Sequence, residues 1–117
     1  MASRDALARI ESLERPGSHG LLDRVARTFV GKSTEQMASI RAALARGELR
    51  PVREECHLLR ASSAYFGAER LSKVAARMEA ACDAGDPAAV RELAAELYTA
   101  QEAAVAELQD AVARRSA

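Results

Sequence analysis

An all-helical fold is what this chain predicts: an antiparallel up-and-down four-helix bundle with one or more further N-terminal helices laid against it. Three features predict it. Apolar residues recur at three- and four-residue spacing along most of its length. Glycines, some beside a proline or a capping residue, punctuate those stretches at short intervals. Finally, apolar residues make up 49 % of the 117 positions and aromatics only 3 %, with Ala and Leu throughout. Such a mixture loses little on entering a helix.

A short amphipathic stretch runs from about Arg4 to Glu14 and stops at Arg15-Pro16-Gly17. The second stretch, about Ser18 to Val30, carries Leu21, Leu22, Val25, Phe29 and Val30, and Gly31 reads as its break. Ser33 or Thr34 then caps a third, in which Met37, Ile40, Ala43 and Leu44 recur up to Gly47. A fourth spans about Glu48 to Phe66, with Pro51 in its first turn, where a missing N–H costs little. Gly67 separates it from a fifth, about Ala68 to Ala84, built on Leu71, Val74, Ala75, Met78 and Cys82.

Gly85-Asp86-Pro87 reads as a terminal glycine, an N-cap and a first-turn proline in succession. The last helix carries Val90, Leu93, Leu97, Ala104, Val105, Leu108 and Val112 on one face, and should fray beyond about Val112. Short connections force antiparallel neighbours. The expectation is one domain over residues 1–117, with a core bundle at about 33–114 and N-terminal covering helices at about 4–31.

Lys plus Arg and Asp plus Glu both number 17, a formal net charge of zero. With so few aromatics, the chain lacks the basic footprint and stacking platform of a nucleic-acid binder, and it is a poor membrane-surface candidate. No apolar run is long enough to span a bilayer, and the first ten residues carry charges where a signal peptide needs an apolar core. Cys56 and Cys82 sit inside helical patterns, as small core residues of a reducing compartment do. A cytoplasmic, monomeric protein is expected. Both ends look complete, which favours a stand-alone protein over a piece of a larger kinase.

On a wheel of about 100° per residue, Val52, Cys56, Leu59, Ser63 and Phe66 form one stripe of the fourth helix and must face the interior. His57 falls well away from it, on a face shared with Arg53, Arg60, Ala61 and Ala64. A lone surface histidine is ordinarily part of a solvated face. Here the imidazole stands mid-helix with an arginine one turn to either side. Neutral imidazole is a good nitrogen nucleophile near neutral pH, and a guanidinium can hold phosphoryl oxygens by charge-assisted hydrogen bonds. The small Ala61 and Ala64 leave room for a partner's catalytic pocket. Those residues suit a phosphoryl carrier.

The run Cys56-His57-Leu58-Leu59-Arg60-Ala61-Ser62-Ser63-Ala64-Tyr65-Phe66-Gly67-Ala68 resembles the motif of histidine phosphotransfer (HPt) domains, approximately A-H-x-L-K-G-S-S-x-x-x-G-A. In weaker form the resemblance extends from about Leu21 to Leu108. It implies that His57 is the phosphoacceptor and that Arg60, in place of the usual lysine, stabilises the phosphoryl charge. Ala61 stands where the family has a glycine beside the phosphohistidine. The family also places a polar side chain from the following helix against the histidine, and Glu79 falls nearest that position.

A docking surface of Arg53, Ala61, Ala64 and Glu79 follows. The partners implied are a response-regulator receiver domain, a hybrid sensor histidine kinase, or both. The protein would be a phosphocarrier and not an enzyme, with no cofactor or metal of its own. The receiver would supply the aspartate, the Mg²⁺ and the catalysis. The alternative is a degenerate HPt module that is never phosphorylated and acts by binding signalling partners; Arg60 and Ala61 are the departures that would support it.

Other signals lead nowhere. Gly31-Lys32-Ser33-Thr34 resembles the end of a P-loop, but Ala26 stands where the first glycine belongs and no strand precedes it. His19 lies in a Gly-rich turn without ligand-spaced neighbours. Cys56 and His57 diverge by about 100° and cannot share one ion undistorted. Glu54, Glu55, Glu69 and Glu79 read, from spacing alone, as solvated charge.

Overall fold

The structure, a computed structural model, describes residues 20–116. They form α1 (Leu21–Ala45), α2 (Leu49–Tyr65), α3 (Glu69–Asp83) and α4 (Pro87–Ser116), with no strand among them. The stretch read at Arg4–Glu14 lies outside the described residues.

Three of the connections are built alike, and the chemistry of glycine explains why. At the end of α2 the Ala68 N–H donates to the Ser63 carbonyl and the Gly67 N–H to that of Ala64, with Gly67 at φ 71°. That is the Schellman arrangement, in which the residue after the cap must turn left-handed at little cost. The same pair of bonds closes α1 at Gly47 and α3 at Gly85. After the third turn Asp86 caps α4, its Oδ1 accepting from the Ala89 N–H at 3.1 Å, and Pro87 is the first helical residue. Tight turns of this kind reverse the chain each time, so the four helices alternate in direction.

One sequence expectation fails here. Gly31 does not break a helix: α1 runs through it as a single helix of 25 residues. A glycine in a helix interior costs only about 1 kcal/mol relative to alanine, and packing on both sides exceeds that. Ser33 and Thr34 are not caps either, since both hydroxyls donate back to the Val30 carbonyl within the same helix. The bundle therefore begins at Leu21 rather than near residue 33, and the stretch read as a second covering helix is the first half of α1. At the other end, α4 continues as helix to Ser116.

The core matches the apolar stripes. Leu22, Ile40, Val52, Leu59, Leu71, Met78, Val90, Leu97 and Leu108 are essentially fully buried, as is Cys56. Phe29 and Phe66 pack ring on ring at 4.8 Å between centroids. Within this apolar interior α1 and α4 are tied by one polar bond, from Gln101 Nε2 to Ser33 Oγ at 3.0 Å. Among the described residues no helix is long and apolar enough to cross a membrane.

Candidate functional site

Helices α2 and α3 form a hairpin folded at Ala68, and that fold decides which side chains meet. In an antiparallel pair, each step of four along one helix is a step of four back along the other. Arg53 thus meets Asp83, and His57 meets Glu79. Ser72 Oγ donates to the Arg60 carbonyl at 2.9 Å and pins the two helices nearer the turn.

The core stripe read from the sequence is buried throughout: Val52, Cys56, Leu59, Ser63 and Phe66. Burial, more than any neighbouring charge, pushes the Cys56 thiol up to about 12. One residue along, the His57 side chain is 54 % exposed. Its Nδ1 lies 3.0 Å from Glu79 Oε2. A carboxylate carries no proton to give, so the imidazole must be the donor. In the neutral ring this bond puts the proton on Nδ1 and leaves Nε2 with its lone pair.

Glu79 is the centre of a cationic ring. Its side chain is only 10 % exposed, and Arg53 Nη2 stands 3.7 Å from Oε2 while Arg60 Nη1 stands 3.5 Å from Oε1. Oε1 has no hydrogen bond despite being buried, so Arg60 holds it by charge at a distance beyond a well-made bond. Arg53 is committed elsewhere: a side-chain hydrogen bond to Asp83 raises its proton affinity further, and Asp83's charge adds to it. Arg60, 46 % exposed, is the looser of the two arginines.

Glu79 is therefore neither a solvated charge nor a surface docking group. It is buried against the back of the imidazole, which is what the HPt resemblance implied and spacing alone did not show. Ala61 and Ala64 are exposed beside His57, and Arg53 is half-buried at its edge. Two residues went unnoticed in the sequence: Leu58 and Tyr65, 55 % and 49 % exposed. Both are large apolar residues lying off the core stripe of an amphipathic helix, and that mismatch was the available signal. With Ala61 they form an apolar flank on the side of His57 facing away from the arginines. Among the described residues no group of three or more His, Cys, Asp or Glu side chains is disposed to hold a metal ion.

The family model of the Hpt domain matches residues 24–116. The chain belongs to the Hpt-domain family. As such it is a histidine-containing phosphotransfer protein of a phosphorelay, and phosphocarriers are what this family comprises. The Hpt domain is also similar in structure to histidine-containing phosphotransfer protein B (HptB) from Pseudomonas aeruginosa PAO1. The TM-score is 0.71 at 22 % identity, over 93 % of this chain and 95 % of that one. At that identity the likeness is one of fold. No curated protein sequence matches the chain.

Proposed function

We propose that His57 Nε2 accepts the phosphoryl group from a receiver domain's aspartyl phosphate, and returns it, with Glu79 and Arg60 in supporting roles. The observation that carries this reading is the hydrogen bond from His57 Nδ1 to the buried Glu79 carboxylate. The Nε2 lone pair attacks phosphorus, the bond from phosphorus to the aspartate oxygen breaks, and the carboxylate leaves with the electron pair. With Nδ1–H retained, the phosphorylated ring is a cation. Glu79 balances that charge from behind, and the cationic ring remains a good leaving group for the reverse transfer. Arg60, held by charge alone, is free to turn toward the new phosphoryl oxygens.

Glu79 touches neither phosphorus nor the partner; it positions the ring and selects its tautomer. The docking surface is then asymmetric. Arg53 and Arg60 flank His57 on the α3 side, and Leu58, Ala61, Ala64 and Tyr65 offer an apolar surface on its other sides. Such a face suits an acidic receiver pocket with an apolar rim. The receiver or hybrid kinase brings the aspartate and its Mg²⁺.

Incubation with a phosphorylated receiver should place an acid-labile, alkali-stable label on His57. His57→Gln should lose that label entirely and keep the helical circular dichroism, since an exposed polar replacement creates no cavity. A His57→Gln protein that still accepts phosphate would overturn the proposal, and an acid-stable label would move attention to Ser62 or Ser63.

A further inference from the structure

Arg53 faces two carboxylates at once. Glu79 and Asp83 lie one turn apart on the same face of α3, and the guanidinium reaches toward both. Its Nε donates to Asp83 Oδ1, while its Nη2 stands 3.7 Å from Glu79 Oε2, too far for a hydrogen bond. Oε2 is also the oxygen that accepts from His57 Nδ1 at 3.0 Å. Arg60 approaches the other oxygen, Oε1, at 3.5 Å, and Oε1 is buried without a hydrogen-bond partner. A buried carboxylate with one oxygen open and a guanidinium close by has a better-bonded arrangement within reach. An arginine fork can take both oxygens, and its charge-assisted bonds are stronger than one from a neutral imidazole. Arg60 comes from the Oε1 side and leaves the imidazole's bond intact. Arg53 comes from the Oε2 side and would bind at the expense of His57.

We propose that Asp83 is a positioning residue for phosphotransfer: it holds Arg53 back from Glu79, so that Oε2 stays with the imidazole. The inference rests on the role given to Glu79 above and adds the group that keeps Glu79 available. Asp83 dominates the environment of Arg53, its hydrogen bond and charge both acting on the guanidinium more strongly than the charge of Glu79. Glu54, a further acid near Arg53, has a partner of its own in Arg50 at 3.5 Å. Asp83 is also the last residue of α3. A carboxylate there faces the negative end of the helix dipole, so the helix gains nothing from it. Its side chain is exposed and fills no space in the core. What it does is bind Arg53, one turn beyond the carboxylate that His57 needs.

The test is ¹⁵N spectroscopy of the neutral His57 ring in the full chain, beside the phosphotransfer rate at saturating receiver. Asp83→Ala, an exposed change at a helix end, should keep the fold. It should lower the share of the Nδ1–H tautomer and slow transfer by about three- to tenfold. Asp83→Glu keeps the charge and should keep the wild-type tautomer. Adding Arg53→Gln to Asp83→Ala removes the competitor and should restore the Nδ1–H form; tautomer alone judges this double variant, because Arg53 belongs to the docking face. Loss of a remote charge would leave the tautomer unchanged, and against an acidic receiver pocket it would tighten docking rather than slow transfer. An unchanged tautomer in Asp83→Ala, where Glu79→Ala does change it, would overturn the proposal and leave the role of Glu79 standing. A double variant as depleted in Nδ1–H as Asp83→Ala would overturn it too. A wild-type ring without Nδ1–H is a different failure, which removes the roles of Glu79 and Asp83 together.

Discussion

Cys56 and His57 are neighbours in the chain and belong to different worlds. Cys56 is fully buried among core side chains, its thiol held protonated by desolvation. His57 stands half in water, one ring nitrogen tied to a carboxylate. A single rotation of about 100° along the same helix separates them. The core face makes α2 rigid, and rigidity is what lets the other face hold an imidazole at a fixed angle without enclosing it. Packing energy and chemistry are thus divided between two sides of one helix.

Four experiments probe that division. The largest effect is expected on the docking face: Ala61→Trp should abolish phosphoryl transfer from the receiver while leaving the helical signal unchanged, because the indole occupies the approach to His57. Ala61→Gly should transfer at least as fast as wild type. Unimpaired transfer by the Trp variant would mean that the partner docks elsewhere.

Removing the ring's support comes next. Glu79→Ala should slow transfer by about tenfold or more. A structural role alone would not change which nitrogen is protonated, so the decisive readout is the pair of His57 ¹⁵N shifts. They should report the Nδ1–H tautomer in wild type and a shift toward Nε2–H in the variant. Identical tautomer populations would remove Glu79 from the mechanism.

The core face makes an alkaline prediction. Folded Cys56 keeps its proton up to about 12, while the unfolded chain releases it near the ordinary 9.0. Above that ordinary value the unfolded state binds fewer protons, so the stabilisation is complete below about pH 9 and is lost progressively as pH rises toward 12. By pH 10 the loss amounts to about 1.4 kcal/mol. Denaturant titrations at pH 8 and pH 10 should show this difference in wild type and a smaller one in Cys56→Ala. Equal pH dependence in the two proteins would contradict the deep burial of this thiol.

The smallest effect belongs to Arg60. Its side chain is half in solvent, so Arg60→Ala should change stability by no more than about 0.5 kcal/mol. The phosphorylated form should decay faster by roughly two- to fivefold, the scale of an exposed charge pair. A lifetime equal to wild type would assign the phosphoryl oxygens to another cation.

The placement of His57 is legible in the sequence, because the stripe Val52–Cys56–Leu59–Ser63–Phe66 leaves only one way for α2 to face. The glycine turns at residues 47, 67 and 85 are legible for the same local reason. Gly31 misleads because its local signal is the same as theirs. A glycine ends a helix only where the chain is free to turn left-handed, and on α1 the packing of Phe29, Ser33 and Met37 on the same core holds it straight.

What the sequence alone determined is whatever depends on neighbours within a turn or two: helix faces, caps, stops and the exposure of the imidazole. Only the tertiary structure decided that Glu79, which by spacing looks like one more surface charge, turns inward to His57. It also decided that Arg53 is taken by Asp83 while Arg60 is held only loosely. The physical reason is reach. Helical periodicity is set by hydrogen bonds four residues apart, whereas the hydrogen bond between residues 57 and 79 exists only once a hairpin folded at Ala68 has fixed the register of two helices.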